Sequence, residues 1–333
     1  MKDTVLITGA DGFIGSHLTE FLVKKNYKVK VMCVYNSFNT WGWLDSIEKD
    51  LLEDVEVILG DVRDPKSVND SMKGVDVVIH LASLIAIPHS YHSPYSYLNT
   101  NTLGTLNIME ACLKNNISKI IHTSTSEVYG DTIKIPISEN TLPYAKSPYA
   151  ATKIGADQIA QSYYSSFNLP VTIIRPFNTY GPRQSNRAII PTIITQLISN
   201  KKKISLGSLY PTRDFSYIFD TIRGFELAIN NTKVVGEIIN IGSGFEISIN
   251  DLFQTLCKIM KKSPKIITDS NRVRPKKGEV FRLKADNRKA NKILKWKPIY
   301  KGKNGLIKGL KETVEWFSDE RNLLKYKTDH YVK

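Results

Sequence analysis

The stretch Thr4-Val5-Leu6-Ile7-Thr8-Gly9-Ala10-Asp11-Gly12-Phe13-Ile14-Gly15 decides how the chain is read. Its first five residues predict a strand, and the three glycines that follow fall at every third position. The first permits a tight turn, the second lets the backbone approach a pyrophosphate, and the third lets a helix pack on the strand. A helix predicted through about residue 25 then turns the positive end of its dipole toward the phosphates. A glycine triplet alone is weak evidence. Set between a first strand and a helix, it points to a dinucleotide held by Gly9, Asp11, Gly12, Phe13, Ile14 and Gly15.

Outward from this start, apolar and β-branched runs predict strands at 28–34, 55–59, 75–81, 120–124 and 171–174, with helices at 99–115 and 149–167. Strands alternating with helices indicate an α/β, doubly wound parallel sheet covered on both faces. Folds of this type often bind the adenine ribose through an acid near the end of the second strand. Here that region reads Met32-Cys33-Val34-Tyr35-Asn36-Ser37, with neither acid nor arginine. Asn36 or Ser37 then takes the ribose, and the missing arginine favours NAD over NADP while leaving NADP admissible. Asp61, with Val62 beside it, is placed to meet the adenine edge or to serve as a turn or capping residue. After the fourth strand, Leu81-Ala82-Ser83 is small enough for a cofactor to lie along the backbone.

Beyond Arg175 the texture changes to loop-like, proline-rich connections, beginning with Pro176-Phe177-Asn178-Thr179-Tyr180-Gly181-Pro182-Arg183. Residues 236–241 read as one more strand of the sheet, so a smaller C-terminal substrate domain interleaves with the first. The expected division is 1–178 plus about 216–243 for the dinucleotide, and 179–215 plus 244–333 for the substrate.

The 333 residues are 41% hydrophobic, enough for a large core. The net charge of +14 raises the question of nucleic acid. The lysines are scattered, however, and no arginine-rich arm or aromatic-interleaved basic strip is present, which argues against that partner. The absence of an apolar run of ~18 residues argues against a membrane span. The start of the chain lacks a signal-peptide layout. Cys33, Cys112 and Cys257 suit neither a disulfide framework nor a metal site and point to the reducing cytoplasm. His17, His80, His122 and His330 show no ligand spacing, and His89 and His92 lack companions, so no metal is expected.

The chemistry concentrates between Thr123 and Lys153. Tyr149 and Lys153, four residues apart, share a helix face. An ammonium beside the phenol is expected to pull the tyrosine below its ordinary pKa of about 10. Such a tyrosine can take a proton from an alcohol while hydride leaves the same carbon. Thr125, Ser126 and Glu127, at a strand end, offer a second set of acid/base groups. Their structural alternative is a cap at Ser126 and a helix-start acid at Glu127.

Gly9-x-x-Gly12-x-x-Gly15, Tyr149-x-x-x-Lys153 and Arg175-Pro176-Phe177-Asn178-x-Tyr180-Gly181-Pro182 together resemble the extended short-chain dehydrogenase/reductase superfamily of nucleotide-sugar enzymes (NAD-dependent epimerase/dehydratase). The resemblance covers essentially the whole chain. It implies a Rossmann domain with a smaller nucleotide-sugar domain, an NAD(P) cofactor and a nucleotide-diphosphate sugar substrate. Within that group, members that only epimerise C4 usually lack a carboxylate at the position of Glu127, whereas sugar 4,6-dehydratases have one to remove the C5 proton. Glucose-type dehydratases carry aspartate where this chain has Ser126. The Thr-Ser-Glu version looks like mannose-type dehydratases and like UDP-glucuronate decarboxylases.

Further segments, among them 35–44, 83–88, 153–157, 191–196 and 211–215, look like the 4,6-dehydratases of the legionaminic acid pathway, which act on nucleotide-linked N-acetylglucosamine. The alternatives are a UDP-glucuronate decarboxylase or a nucleotide-sugar 4-epimerase. The implied catalytic set is Thr125, Ser126, Glu127, Tyr149 and Lys153. Asn178 is a candidate for the sugar or diphosphate. Arg213 and Arg274 suit the two phosphates through their bidentate forks. Glu279, in Arg274-Pro275-x-x-x-Glu279, resembles the family's nucleotide-ribose acid, and Arg183 and Arg187 are weaker candidates. The family also implies a homodimer through a four-helix bundle made by the 99–115 and 149–167 helices.

Overall fold

Alternation along the strands divides the core into two layers. In the computed structural model, which describes residues 3–326, β1 (Thr4–Thr8) sends Val5 and Ile7 to one face and Leu6 to the other. The same split recurs in β2 (Lys28–Cys33), β4 (Val77–His80), β5 (Lys119–Thr123) and β6 (Val171–Pro176), with β3 (Val55–Leu59) at the edge. Ile121 and Ile174 join the first layer, Ile120 and Ile173 the second. Both faces are apolar, as a sheet covered on both sides requires.

Leu18 and Leu22 of α1 (Phe13–Lys24) cover the first face. Ile108 and Cys112 of α2 (Gly104–Lys114) and Ala160 and Tyr163 of α3 (Pro148–Phe167) cover the second. With β10 (Ile238–Ile241) added, the sheet is parallel throughout, in the order β10-β6-β5-β4-β1-β2-β3. Before β10 joins β6, the chain makes β7 (Asn178–Tyr180), β8 (Lys203–Leu206) and β9 (Thr212–Tyr217). The strand expected at 236–241 is therefore present, on the β6 edge.

The rest builds two small sheets. β9 lies between β7, in parallel, and β11 (Glu246–Ser248), antiparallel. β12 (Lys265–Thr268) pairs with β8. Asp214, on β9, ties this region together: its carboxylate accepts from Ser243 N at 2.8 Å, Gly244 N at 2.9 Å and Ala285 N at 3.0 Å. Among the described residues, no helix is long and apolar enough to cross a membrane.

Two expectations are corrected here. The 176–183 stretch is not all loop, because β7 pairs with β9 through Asn178↔Phe215 and Tyr180↔Tyr217. A three-residue strand is too short to show a period in sequence. The helix expected over 99–115 begins instead as a π-type turn, Leu98–Leu103, before α2. The wide turn carries Asn101, whose side chain accepts from Leu84 N at 2.8 Å and donates to Leu84 O at 2.9 Å and Thr152 Oγ1 at 3.1 Å. Such turns are frequent at functional sites.

Gly15 is held by contact alone. A Cβ there would stand 2.3 Å from the Gly9 carbonyl oxygen and 2.6 Å from the Ala10 Cα, both backbone atoms. Gly15→Ala is therefore expected to destabilise the fold by about 2 kcal/mol, read as a lower unfolding midpoint. An unchanged midpoint would mean that the helix start can move without cost.

Candidate active site

The strand order reverses between β1 and β4, and in sheets of this kind ligands bind in the crevice beyond the strand ends at that point. The loops after the two strands touch there. Gly9 has φ +71°, and a Cβ on it would lie 2.8 Å from the Ala82 Cα. Leu81 N–H donates to Thr8 O and Ala82 N–H to Thr8 Oγ1, each at 3.2 Å. Ser83 Oγ donates to Asn101 Oδ1 at 2.9 Å.

Gly12 precedes Phe13 and Ile14, the first residues of α1, and the first turn carries no acidic residue. A Cβ at Gly12 would meet only the Gly9 carbonyl, at 3.2 Å. The space over this helix end is therefore open and positively polarised, which fits a pyrophosphate. Asp11 links this loop to the end of β2 by accepting from Val34 N–H, and burial raises its pKa.

Two of the expected cofactor residues use their side chains locally. Asn36 donates to Thr40 O at 2.9 Å and accepts from Phe38 N at 3.0 Å, closing its own loop. Asp61 takes a fork from Arg63 and accepts from the Arg63 N–H at 2.8 Å. Val62 is buried, and its carbonyl accepts from Asn107 Nδ2 at 2.9 Å.

The catalytic candidates do meet. β5 ends at Thr123, and Thr125 caps the following 3-10 turn, Ser126–Tyr129, by accepting from Glu127 N at 3.2 Å. The cap thus falls to Thr125, not to Ser126, which is buried within the turn. α3 opens with Ser147 as its cap and Pro148 in its first turn, a sequence suited to a helix start. Tyr149 and Lys153 are both buried on this helix. Tyr149 lies edge-on to the Tyr97 ring, with centroids 6.3 Å apart, and its hydroxyl meets Thr125.

The expected direction of the Tyr149 pKa is corrected. Burial raises it above the ordinary phenol range, the Thr125 hydroxyl opposes this, and the Glu127 charge adds to the rise. Lys153 Nζ donates to Thr123 O at 2.6 Å, and its own burial lowers its pKa to about 8, against the opposing charge of Asp157. Desolvation therefore sets the direction for both groups, disfavouring the charged form of each.

Glu127 is buried and answers to two cations. Burial pushes its pKa up, but the Arg274 and Arg213 guanidinium groups more than offset this, so the carboxyl is held below its ordinary range. Arg274 forks onto it, Nη1 to Oε2 and Nη2 to Oε1, both at 3.2 Å. Arg213 Nη1 donates to Val280 O at 2.8 Å and Thr212 O at 2.9 Å, and its Nη2 lies 3.4 Å from Glu279 Oε1. The two arginines expected at the phosphates therefore each pair with a carboxylate in this structure.

Asn178 Oδ1 is buried with no hydrogen-bond partner, a cost of about 1–3 kcal/mol unless a ligand donor meets it. Arg187 is exposed, and its charge opposes the burial that raises the Tyr97 pKa. Arg183 is buried and braces α1 through Glu20 at 2.8 Å. His330 lies outside the described residues.

Sequence reasoning missed Asn101, which lies within the polar run Asn99-Thr100-Asn101-Thr102 and carries no signal that sets it apart from its neighbours. It also missed Arg274 as the partner of Glu127. The two are 147 positions apart, and no local pattern joins them.

Fold and crevice together are those of a dinucleotide-binding protein of the Rossmann type. Residues 6–308 match the model of the GDP-mannose 4,6 dehydratase family, and the chain belongs to it. A dTDP-D-glucose 4,6-dehydratase of Dictyostelium discoideum is 34% identical over 77% of this chain, and the match spans 62% of that longer protein. A UDP-N-acetyl-alpha-D-glucosaminuronate decarboxylase of Bacillus cytotoxicus is 32% identical over 97% of this chain and its own full length. The crystal structure of a dTDP-glucose 4,6-dehydratase from Streptomyces venezuelae, with NAD bound, superposes with a TM-score of 0.87 at 27% identity, covering 97% of this chain and 99% of that one.

Proposed function

We propose that this protein is an NAD-dependent nucleotide-sugar 4,6-dehydratase. Its substrate is GDP- or UDP-linked N-acetylglucosamine and its product the 4-keto-6-deoxy sugar nucleotide, made for legionaminic acid synthesis. The observation that carries the reading is that Glu127 and Tyr149 share one buried site, bridged by Thr125. A carboxylate and a phenol at one site can act on neighbouring carbons of one hexose.

The Gly9–Gly15 loop, Ala82 and Ser83 hold the cofactor, with Lys153 at its nicotinamide end. When bound, NAD supplies the hydride acceptor for C4 and returns that hydride to C6. Tyr149 takes the C4 hydroxyl proton, Lys153 supports the resulting phenolate, and Thr125 bonds the C4 oxygen. The C4 ketone acidifies C5, and Glu127, ionised under its two arginines, removes the C5 proton. The C6 hydroxyl leaves as water, helped by Ser126 or by Glu127 in its protonated form, and a proton returns to C5 as C6 receives the hydride. Asn178, Arg187, Arg213, Arg274 and Glu279 receive the nucleotide sugar.

Residues 1–178 and about 216–243 carry the dinucleotide, and 179–215 and 244–333 the sugar nucleotide. A second copy packs on α2 and α3, where Leu103, Tyr164 and Phe167 are exposed. The protein works in the cytoplasm, with its three cysteines reduced and buried.

Incubation with each N-acetylglucosamine nucleotide, read by mass, tests the function. Dehydration loses water, decarboxylation of a uronate loses carbon dioxide, and epimerisation changes no mass. Loss of water from neither nucleotide would overturn the reading. Arg213→Ala is expected to raise KM for the nucleotide sugar about tenfold or more with little change in NAD affinity. The opposite pattern in a titration would remove Arg213 from the substrate site.

A further inference from the structure

Asp157 is fully buried on α3, one turn beyond Lys153 and two beyond Tyr149, and no step above uses it. Its Oδ2 accepts from Ser124 Oγ at 2.8 Å and from Arg175 Nη2 and Nε at 2.8 and 3.1 Å. Its Oδ1 lies 3.3 Å from His122 Nε2. Arg175 is itself stacked 4.9 Å over the Tyr129 ring, whose hydroxyl donates to Asn240 Oδ1 at 2.7 Å. The carboxylate therefore has little freedom to turn.

Its charge faces a second cation. Lys153 is 3% exposed, and its ammonium donates to a neutral acceptor, Thr123 O. The titratable groups whose charges it meets are Asp157 from its own helix, His122 from β5 and His80 from β4, and Tyr149 precedes it by one turn on the same helix. Both histidines are neutral, because burial lowers their pKa values. Tyr149 is neutral as well, so Asp157 is the anion set against Lys153 and Arg175 together. A buried ammonium without such an anion gives up its proton.

We propose that Asp157 is a positioning residue for the reaction: from one helical turn away it keeps the Lys153 ammonium charged, and so able to support ionised Tyr149. The inference rests on the dehydratase reading for the step it serves. The charges themselves support it, since burial lowers the Lys153 pKa to about 8 and Asp157 opposes that shift. Because charged Lys153 is the active form, activity falls as pH rises through that value.

The test is the pH profile of kcat for NAD-loaded Asp157→Asn, Asp157→Glu and wild type. Asp157→Asn is expected to move the alkaline limb down by about one pH unit or more, with KM for the nucleotide sugar within about twofold of wild type. Asp157→Glu should return the limb close to its original position. A uniform fall in kcat with the alkaline limb unmoved would show a purely structural role and overturn the proposal.

Should Asp157→Asn fail to fold with Arg175 uncompensated, the double variant Asp157→Asn/Arg175→Met leaves no unpaired guanidinium, and its alkaline limb must lie below that of Arg175→Met alone. If wild type forms no product, the dehydratase reading fails by itself. In that case, NMR titration of Lys153 in lysine-labelled protein still decides whether Asp157→Asn lowers its pKa.

Discussion

Tyr149→Phe is expected to lower kcat by about a thousandfold while the protein still folds and binds NAD. The loss is confined to one hydroxyl, whose neighbour is Thr125, while the ring keeps its packing against Tyr97. Burial raises the pKa of this phenol, so it ionises only where compensating positive charge is present, and Lys153 is the cation on its own helix face. The measurement is product formation by mass alongside a melting curve. Near wild-type turnover in Tyr149→Phe would remove proton transfer from this residue and with it the proposed first step.

Glu127→Gln is expected to lower formation of the 4-keto-6-deoxy product by about a hundredfold or more. Incorporation of solvent deuterium at C5 should disappear with it. The amide cannot accept a C5 proton, although it is close to glutamate in shape. KM for the nucleotide sugar should not rise, because Arg213 and Arg274 then face one carboxylate fewer. This split between kcat and KM separates a base from a residue that only shapes the site. Undiminished C5 exchange would show that another group removes the proton. The substitution also leaves the half-buried Arg274 charge less well matched, so a modest drop in the unfolding midpoint should accompany it.

What could be read before the structure follows from how local each signal is. β1 and β3 fall where their apolar runs lie, and the glycine loop sits between strand and helix, because those features are written within a dozen residues. The meeting of Thr125, Glu127 and Tyr149 was also legible, since a strand end and the next helix start are the places a parallel sheet brings to one edge. β7 was not, because three residues cannot display a period and its partner lies in β9. The π-type turn at Leu98–Leu103 depends on bonds from Asn101 to Leu84 and Thr152, which no helix pattern foretells. Sequence spacing gives the Tyr149 pKa the wrong direction because desolvation is a property of the folded surroundings, absent from a four-residue interval. The chemistry of Arg274 alone points to phosphate, and the structure gives it Glu127 as a partner.

The late arrival of β10 at the β6 edge has a bearing on synthesis. A ribosome delivers six parallel strands, then the segments that make β7 to β9, and only afterwards the strand that covers β6. Until residue 241 has emerged, the growing chain carries an unpaired β6 margin, the kind of border on which other chains can add. Truncations ending before Ile238 should therefore precipitate more readily than those cut beyond Ile241, which keep the longer β6 covered.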